Sequence, residues 1–534
     1  MQFRSQKQKQ RFALLTAGFV LILASLACNL PVGYNDPKEE SDRALQATMQ
    51  ALIFATPQPQ AEVPAYTPPP LPPGVSPFPG LHTATPGAPA AVPAPPSGIV
   101  EGVYYVQTGD TLPALAKRFG VDPWHITSAP DPAFPLPAEG YLPTGLGLNV
   151  PDKIGDTLYP GALLPDSEVV YSPSAAGFSA SDYAAGAGGY LAGYGEEVDG
   201  VWLSGSEIVE RISAETSVNP RLLLAFLEHR SGWVRGQPSP NTDLEHPLGF
   251  NVSGYIGLYM ELSLTAKQIN IGYYGWRQGH IKELVFGDGT STKISPGLNA
   301  GSVGVQYLFS KFYRQELFTR YMYGPENFIS LFSAMFDDPW ARAASVEPLF
   351  PADLSQPTME LPFSSGESWR YTSGPHTAWT TGSPPGALDF SPVTGEERCA
   401  VSSVWVTASA PGVSVRTGEG LVVVDLDGDG YEQTGWNIIY MHVAGSERVP
   451  LGVYVNTNDP LGHPSCEGGQ ATGKHVHIAR KYNGEWISAD GPVPFILSGW
   501  EAHAGERNFQ GTLTRGDQTV IANPGGTRDT VINR

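Results

Sequence analysis

The chain is poor in cysteine, in positive charge and in long apolar runs. Its three cysteines, Cys28, Cys399 and Cys466, leave room for a single disulfide within 534 residues. Basic residues number 32 against 52 acidic ones, and the net charge of −20 argues against nucleic acid as a partner. Acidity is otherwise uninformative, because acidic surfaces are common simply for solubility. The N-terminal apolar run, Phe12 to Ala27, is short for a spanning helix. The length exceeds what one core can bury and predicts three or so folded units with linkers.

What is present concentrates near the C-terminus. Five of the 11 histidines (His376, His442, His463, His475 and His477) fall within roughly a hundred residues. In a strand the side-chain period is two, so His475 and His477 of His475-Val476-His477 point to one face. One of them can ligate a metal while the other stands beside it. With His376 and Asp389 upstream, they offer two histidines and one carboxylate, a common way to hold zinc with a fourth position open for water. His442 ends an apolar run, Trp436 to Met441, that reads as a buried strand. His463 is read as structural or functional with equal weight.

The local sequences around these residues are Gly374-Pro375-His376, Ala387-Leu388-Asp389-Phe390, Tyr440-Met441-His442 and Gly473-Lys474-His475-Val476-His477. Together they resemble the zinc endopeptidases of the lysostaphin and β-lytic type, which cut peptide bonds in bacterial cell walls. The resemblance runs from about Ser365 to Ala522, and the long gap between His376 and Asp389 is closer to the β-lytic branch. It implies His376, Asp389 and His477 as zinc ligands and His442 with His475 as the catalytic pair. It also implies an antiparallel β domain, an incomplete barrel with the metal in a groove between long loops. No His-Glu-x-x-His occurs, so a carboxylate base of that kind is absent.

At the other end, Arg4, Lys7, Lys9 and Arg11 precede the apolar run, which reads as a secretory signal. Ser25-Leu26-Ala27-Cys28 resembles a bacterial lipobox, with Ser25 where Leu is usual. The resemblance implies lipid on Cys28 and a chain tied to the membrane outside the cytoplasm; the alternative is an uncleaved anchor helix. With Cys28 lipidated, Cys399 and Cys466 form an even pair in an oxidising compartment, expected as a disulfide, with two free thiols as the alternative. Asp42 to Phe54 suits a short helix. After it, 15 of the 50 prolines lie between Pro57 and Pro96, a composition that cannot pack a core and suits an extended tether.

Tyr105 to Gly120 and Leu142 to Pro151 resemble a LysM module, a βααβ unit that binds N-acetylglucosamine-containing glycans. Pro130-Asp131-Pro132 and Pro135-Leu136-Pro137 stand where its second helix belongs, so a spacer is as good a reading as a glycan binder. Val218 to Trp233 resembles the first core helices of the lytic transglycosylase and lysozyme-like fold. Aligned on Ser231-Gly232, the catalytic Glu position holds Arg230, and a guanidinium cannot serve as the general acid. Glu228 lies about 200° away around the helix. This implies a helical domain that does not cleave glycans. Asp425-Leu426-Asp427-Gly428-Asp429-Gly430 resembles the start of a calcium loop, yet Trp436 replaces the Glu of the twelfth position, and Asp-Gly repeats serve equally as hairpin turns.

The expected organisation is multidomain: signal peptide 1–27, Pro-rich tether 28–100, LysM-like module 101–152, linker with a short helix 153–200, helical lysozyme-like domain 201–353 and zinc metallopeptidase domain 354–534. Zinc is the expected cofactor and peptidoglycan the expected partner, with the membrane reached through the lipid and the oligomeric state left open. The rival readings are a non-enzymatic wall-binding or hydrolase-activating lipoprotein and a secreted protease for Gly-rich proteins.

Overall fold

The computed structural model describes residues 98–534 apart from 101, 152, 159 and 160. The apolar run, Cys28, the Asp42–Phe54 segment and nearly all of the tether lie outside the described residues. Among the described residues no helix is long and apolar enough to cross a membrane.

The first unit is a four-stranded sheet, ordered β1 (Gly98–Val100), β2 (Val103–Tyr105), β4 (Gly147–Asn149) and β3 (Thr127–Ser128). One helix, α1 (Leu112–Phe119), packs on it through Leu112, Leu115, Ala116 and Phe119. Thr111 caps α1 by accepting from the Ala114 N–H, and Gly120 ends it in the left-handed conformation. The proline-rich stretch after Ser128 forms no second helix, as the fixed φ and missing N–H of proline require.

Residues 153–200 were expected as a linker with a short helix; a helix is there, but the structure packs the segment into a core rather than leaving it a linker. Leu163, Leu164, Val169, Val170, Ala180 and Ala184 enter the same core as the helices that follow. The segment is rich in Gly, Ala and Ser, so its few anchoring apolar residues form no regular period. It carries α2 (Ala180–Ala187). The helical region continues with α3 (Gly205–Thr216), α4 (Pro220–Ser231), α5 (Leu258–Arg277), α6 (Ala300–Ser310), α7 (Gln315–Tyr323), α8 (Phe328–Phe336) and α9 (Pro339–Ala343). Ser204 and Glu207 form a reciprocal capping box at the start of α3, a feature that contributes about 1 kcal/mol.

The C-terminal region is a nine-stranded antiparallel sheet. Its strands are β5 (Ser368–Thr377), β6 (Pro385–Pro392), β7 (Gly412–Gly418), β8 (Leu421–Asp425), β9 (Trp436–Met441), β10 (Tyr454–Val455), β11 (Val476–Tyr482), β12 (Glu485–Trp486) and, far downstream, Val531–Asn533. The order is β10-β7-β8-β9-β11-β6-β5 and then Val531–Asn533, with β12 paired to β11. The end strands do not pair with each other, so the sheet stays open. A smaller sheet holds β13 (Trp500–Ala504) and β14 (Gly511–Arg515), joined by a loop that returns to β5.

Alternation along β11 decides what each sheet face meets. Val476 and Ile478 lie in the inner core with Leu388, Phe390, Val422 and Tyr440. Ala479, on the face of His477, joins the core of the helical region together with Ile439, Leu421 and Val423. Helices α3 and α5 therefore lie over the sheet face that carries His477. The junction is polar as well as apolar. Tyr274 Oη accepts from the Trp486 N–H at 3.0 Å, and Lys481 donates to the Ala214 carbonyl at 3.1 Å.

Candidate metal centre

Three strands deliver the donors. Asp389 on β6 sits directly opposite His477 on β11, and His376 lies near the end of β5. His376 Nε2 and His477 Nδ1 are 3.1 Å apart, and each is 3.3 Å from Asp389 Oδ1. The orientation of each ring is set by a carbonyl, which can only accept. His376 Nδ1–H donates to Gly374 O at 2.9 Å, and His477 Nε2–H donates to Ala378 O at 3.0 Å. In its neutral form each ring then turns a lone pair toward Asp389 Oδ1. That oxygen is buried and has no donor of its own. Three acceptors this close require a positive centre between them. Two imidazole nitrogens and one carboxylate oxygen, with carbonyls orienting the rings behind them, fit zinc.

His442 and His475 stand beside this group with ring centroids 4.3 Å apart. They repeat the carbonyl device: His442 Nδ1–H donates to Glu467 O at 2.9 Å and His475 Nδ1–H to Gly473 O at 2.7 Å. Both rings thus turn Nε2 inward, and His475 Nε2 lies 3.8 Å from Asp389 Oδ2. Burial, with His475 and His477 alongside, pushes His442 down to about 3, so its ring is neutral at pH 7. Burial opposes charge on Asp389, but His376 and His475, when they carry charge, hold its carboxyl well below the usual range.

His442 has a left-handed φ of 64°, a conformation costing on the order of 1–3 kcal/mol. Its carbonyl accepts from the Ser465 N–H at 2.7 Å and from Ser465 Oγ, which holds it there. Next to Ser465 the Cys399–Cys466 disulfide, with Cα atoms 5.4 Å apart, ties the loop before His475 to the segment after β6. Lys474 adds a bond from Nζ to Glu397 O at 2.7 Å. His463 stands apart from the group. Its Nδ1–H donates to Val404 O at 2.9 Å and its Nε2 faces Glu447 Oε2 at 3.3 Å, while the ring packs on Trp405 at 3.9 Å, a structural role.

One residue of the site escaped the sequence reading. Phe509, in the β13–β14 loop, stacks on His376 at 4.8 Å and remains 51 % exposed. Its φ of 72° is held by bonds between its N–H and Pro375 O and between Gly374 N–H and its own carbonyl. Glycine at 374 is required because a Cβ there would meet the Gln510 backbone at 2.4 Å.

The helical motif resolves differently. Arg230 Nε donates to Leu248 O and its Nη1 to Tyr313 Oη, both at 2.7 Å, while the guanidinium covers Phe312. Glu228 accepts from the N–H groups of Val234 and Arg235 at 3.0 Å. Glu228 is thus taken up by backbone donors at the C-terminal end of α4.

An open antiparallel sheet thus carries a His–Asp–His triangle whose ligand atoms all lie within 4.8 Å of one another, an arrangement able to hold a metal ion. The comparisons with known proteins go further. Residues 162–350 match the family described as LasA, N-terminal domain. Protease LasA of Pseudomonas aeruginosa is 26 % identical over 307 residues, spanning 54 % of this chain and 68 % of that protein. The β-lytic metalloendopeptidase of Lysobacter enzymogenes is 26 % identical over 159 residues, 29 % of this chain and 85 % of that one. Among solved structures, the M23 metalloprotease pseudoalterin is 26 % identical with a TM-score of 0.27, covering 31 % of this chain and 96 % of its own. The relatives' likeness supports a metallopeptidase of the LasA and β-lytic kind.

Proposed function

We propose that the chain is an exported zinc metalloendopeptidase that hydrolyses peptide bonds in the cross-links or stems of peptidoglycan. The observation that carries this reading is the triangle of His376 Nε2, Asp389 Oδ1 and His477 Nδ1, with two further histidines, His442 and His475, beside it. Zinc, when bound, would supply a Lewis acid and lower the pKa of a bound water to about 7. The chain supplies the rest. His442 and His475 each present an Nε2 lone pair that can orient a water and take its proton. The imidazolium so formed can stabilise the oxyanion and return the proton to the leaving amine. Phe509 offers an apolar surface against which a peptide lies while its carbonyl reaches the site.

The substrate assignment draws on the wall-cleaving family that the motifs resemble, on the LysM-like module and on the expected lipid at Cys28. The test uses the full chain on purified peptidoglycan and, in parallel, on a Gly-rich protein. New amino groups are followed with zinc-loaded and chelated protein. Zinc-dependent release from the wall alone is expected. Release from the protein alone would transfer the assignment to a secreted protease. No release from either, with zinc bound, would leave a wall-binding or regulatory role.

A further inference from the structure

His442 takes the constraints on its backbone and on its ring from a single tripeptide. The Ser465 N–H and Oγ donate to its carbonyl at 2.7 and 3.1 Å, and its Nδ1–H donates to the Glu467 carbonyl at 2.9 Å. Cys466 stands between those two residues, bonded to Cys399. A left-handed non-glycine residue persists only where its surroundings hold it, so this tripeptide decides whether His442 keeps its place.

The segment has little stiffness of its own. Gly468 and Gly469 follow Glu467, both left-handed with φ of 72° and 83°, and glycine restrains a backbone least. At the far end of the loop Lys474 donates from its N–H to Arg398 O at 2.8 Å and from Nζ to Glu397 O at 2.7 Å. Opening the disulfide therefore frees the Cys466 end and leaves the His475 end tied. The metal triangle does not depend on this loop: the carbonyls that orient His376 and His477 belong to Gly374 in β5 and to Ala378 just after it. Cys399 is exposed, so a dissolved thiol or disulfide can reach the bridge.

We propose that the Cys399–Cys466 bridge is a redox gate on turnover: open, it leaves the metal ligands in place and His442 unheld; closed, it completes the catalytic pair. This rests on the peptidase reading above. Closing converts two thiols into one disulfide, and their two electrons and two protons pass to a disulfide oxidant, which leaves as a dithiol; a thiol reductant reverses the exchange. A chain that is exported would thus become active only after it meets an oxidising compartment.

The test uses the full zinc-loaded chain, reduced with a phosphine in zinc-containing buffer and desalted before assay. Two more free thiols than in the untreated chain report the open state. Reduction should leave one zinc per chain and lower amino-group release from wall by about 10²-fold, with recovery on glutathione disulfide. The Cys399→Ala, Cys466→Ala double variant should match the reduced chain. A full rate with both thiols free overturns the gate, and so does loss of zinc or general unfolding on reduction, since the bridge would then be structural only. Hydrogen exchange read by mass spectrometry needs no substrate. Faster exchange confined to residues 464–470 on reduction, with β5, β6 and β11 unchanged, supports the gate even if the oxidised chain cuts no wall and the peptidase reading falls. Unchanged exchange in 464–470 overturns it.

Discussion

Two regions of this molecule carry the polar residues of an enzyme motif, and they treat those residues in opposite ways. Around Arg230 every strong polar group is answered: the guanidinium by Leu248 O and Tyr313 Oη, Glu228 by two backbone N–H groups and Arg235. His229 there is pushed down to about 4 by burial and by Arg230, and it faces Tyr313 Oη at 3.1 Å. Around Asp389 the reverse holds. Carbonyls consume the outer N–H of four histidines, and the inner atoms are acceptors facing acceptors. Matched groups stabilise a fold, whereas unmatched buried lone pairs mark a place kept for something else.

Substitutions can break this contrast. Asp389→Ala removes the anion and one of three donors, so metal content should fall to background and turnover with it. A chain that keeps a full equivalent of zinc would refute the ligand set. His477→Ala should behave the same way. Next in size is His442→Ala, which should keep its metal and lose roughly 10²–10⁴ in rate. Wild-type rates in that variant would remove His442 from the chemistry. Replacing Cys399 and Cys466 by Ser opens a loop closed across 67 residues and should cost about 4 kcal/mol in chemical unfolding. Smallest is Arg230→Met, which forfeits two hydrogen bonds, about 1–3 kcal/mol together, and should leave amino-group release per folded chain unchanged. The same contrast says that the intact chain yields no anhydro-muropeptides from wall, and mass spectrometry of the digest checks this.

How far the site was legible follows from the range of each interaction. His376, Asp389, His442, His475 and His477 sit in short local motifs, and the structure brings all five together. The strand period already put His475 and His477 on one face. Phe509 had no such signal. It reaches His376 through a hairpin 32 residues beyond His477, and only the small Gly374, needed for that close approach, hinted at it. The left-handed φ of His442 was equally invisible, because it is imposed by Ser465 from across the loop. Helices α3 and α4 were readable from Ser204, Asn219, Pro220 and Gly232, which cap and punctuate them. Residues 163–198 were not, since tertiary packing rather than periodicity orders them.

Arg277, at the end of α5, touches all three folded regions. Its guanidinium packs against Gly109 of the first unit, bonds Asp166 at 3.0 Å and holds Glu485 of β12 at 3.0 Å. Linkers between domains usually permit hinge motion. Here the buried cation is shared between Asp166 of its own region and Glu485 of the C-terminal one, so parting those two regions exposes imperfectly compensated charge, which costs about 3–5 kcal/mol, while the first unit adds packing at Gly109. The helical and C-terminal regions are thus thermodynamically one, and calorimetry should record them unfolding in a single endotherm.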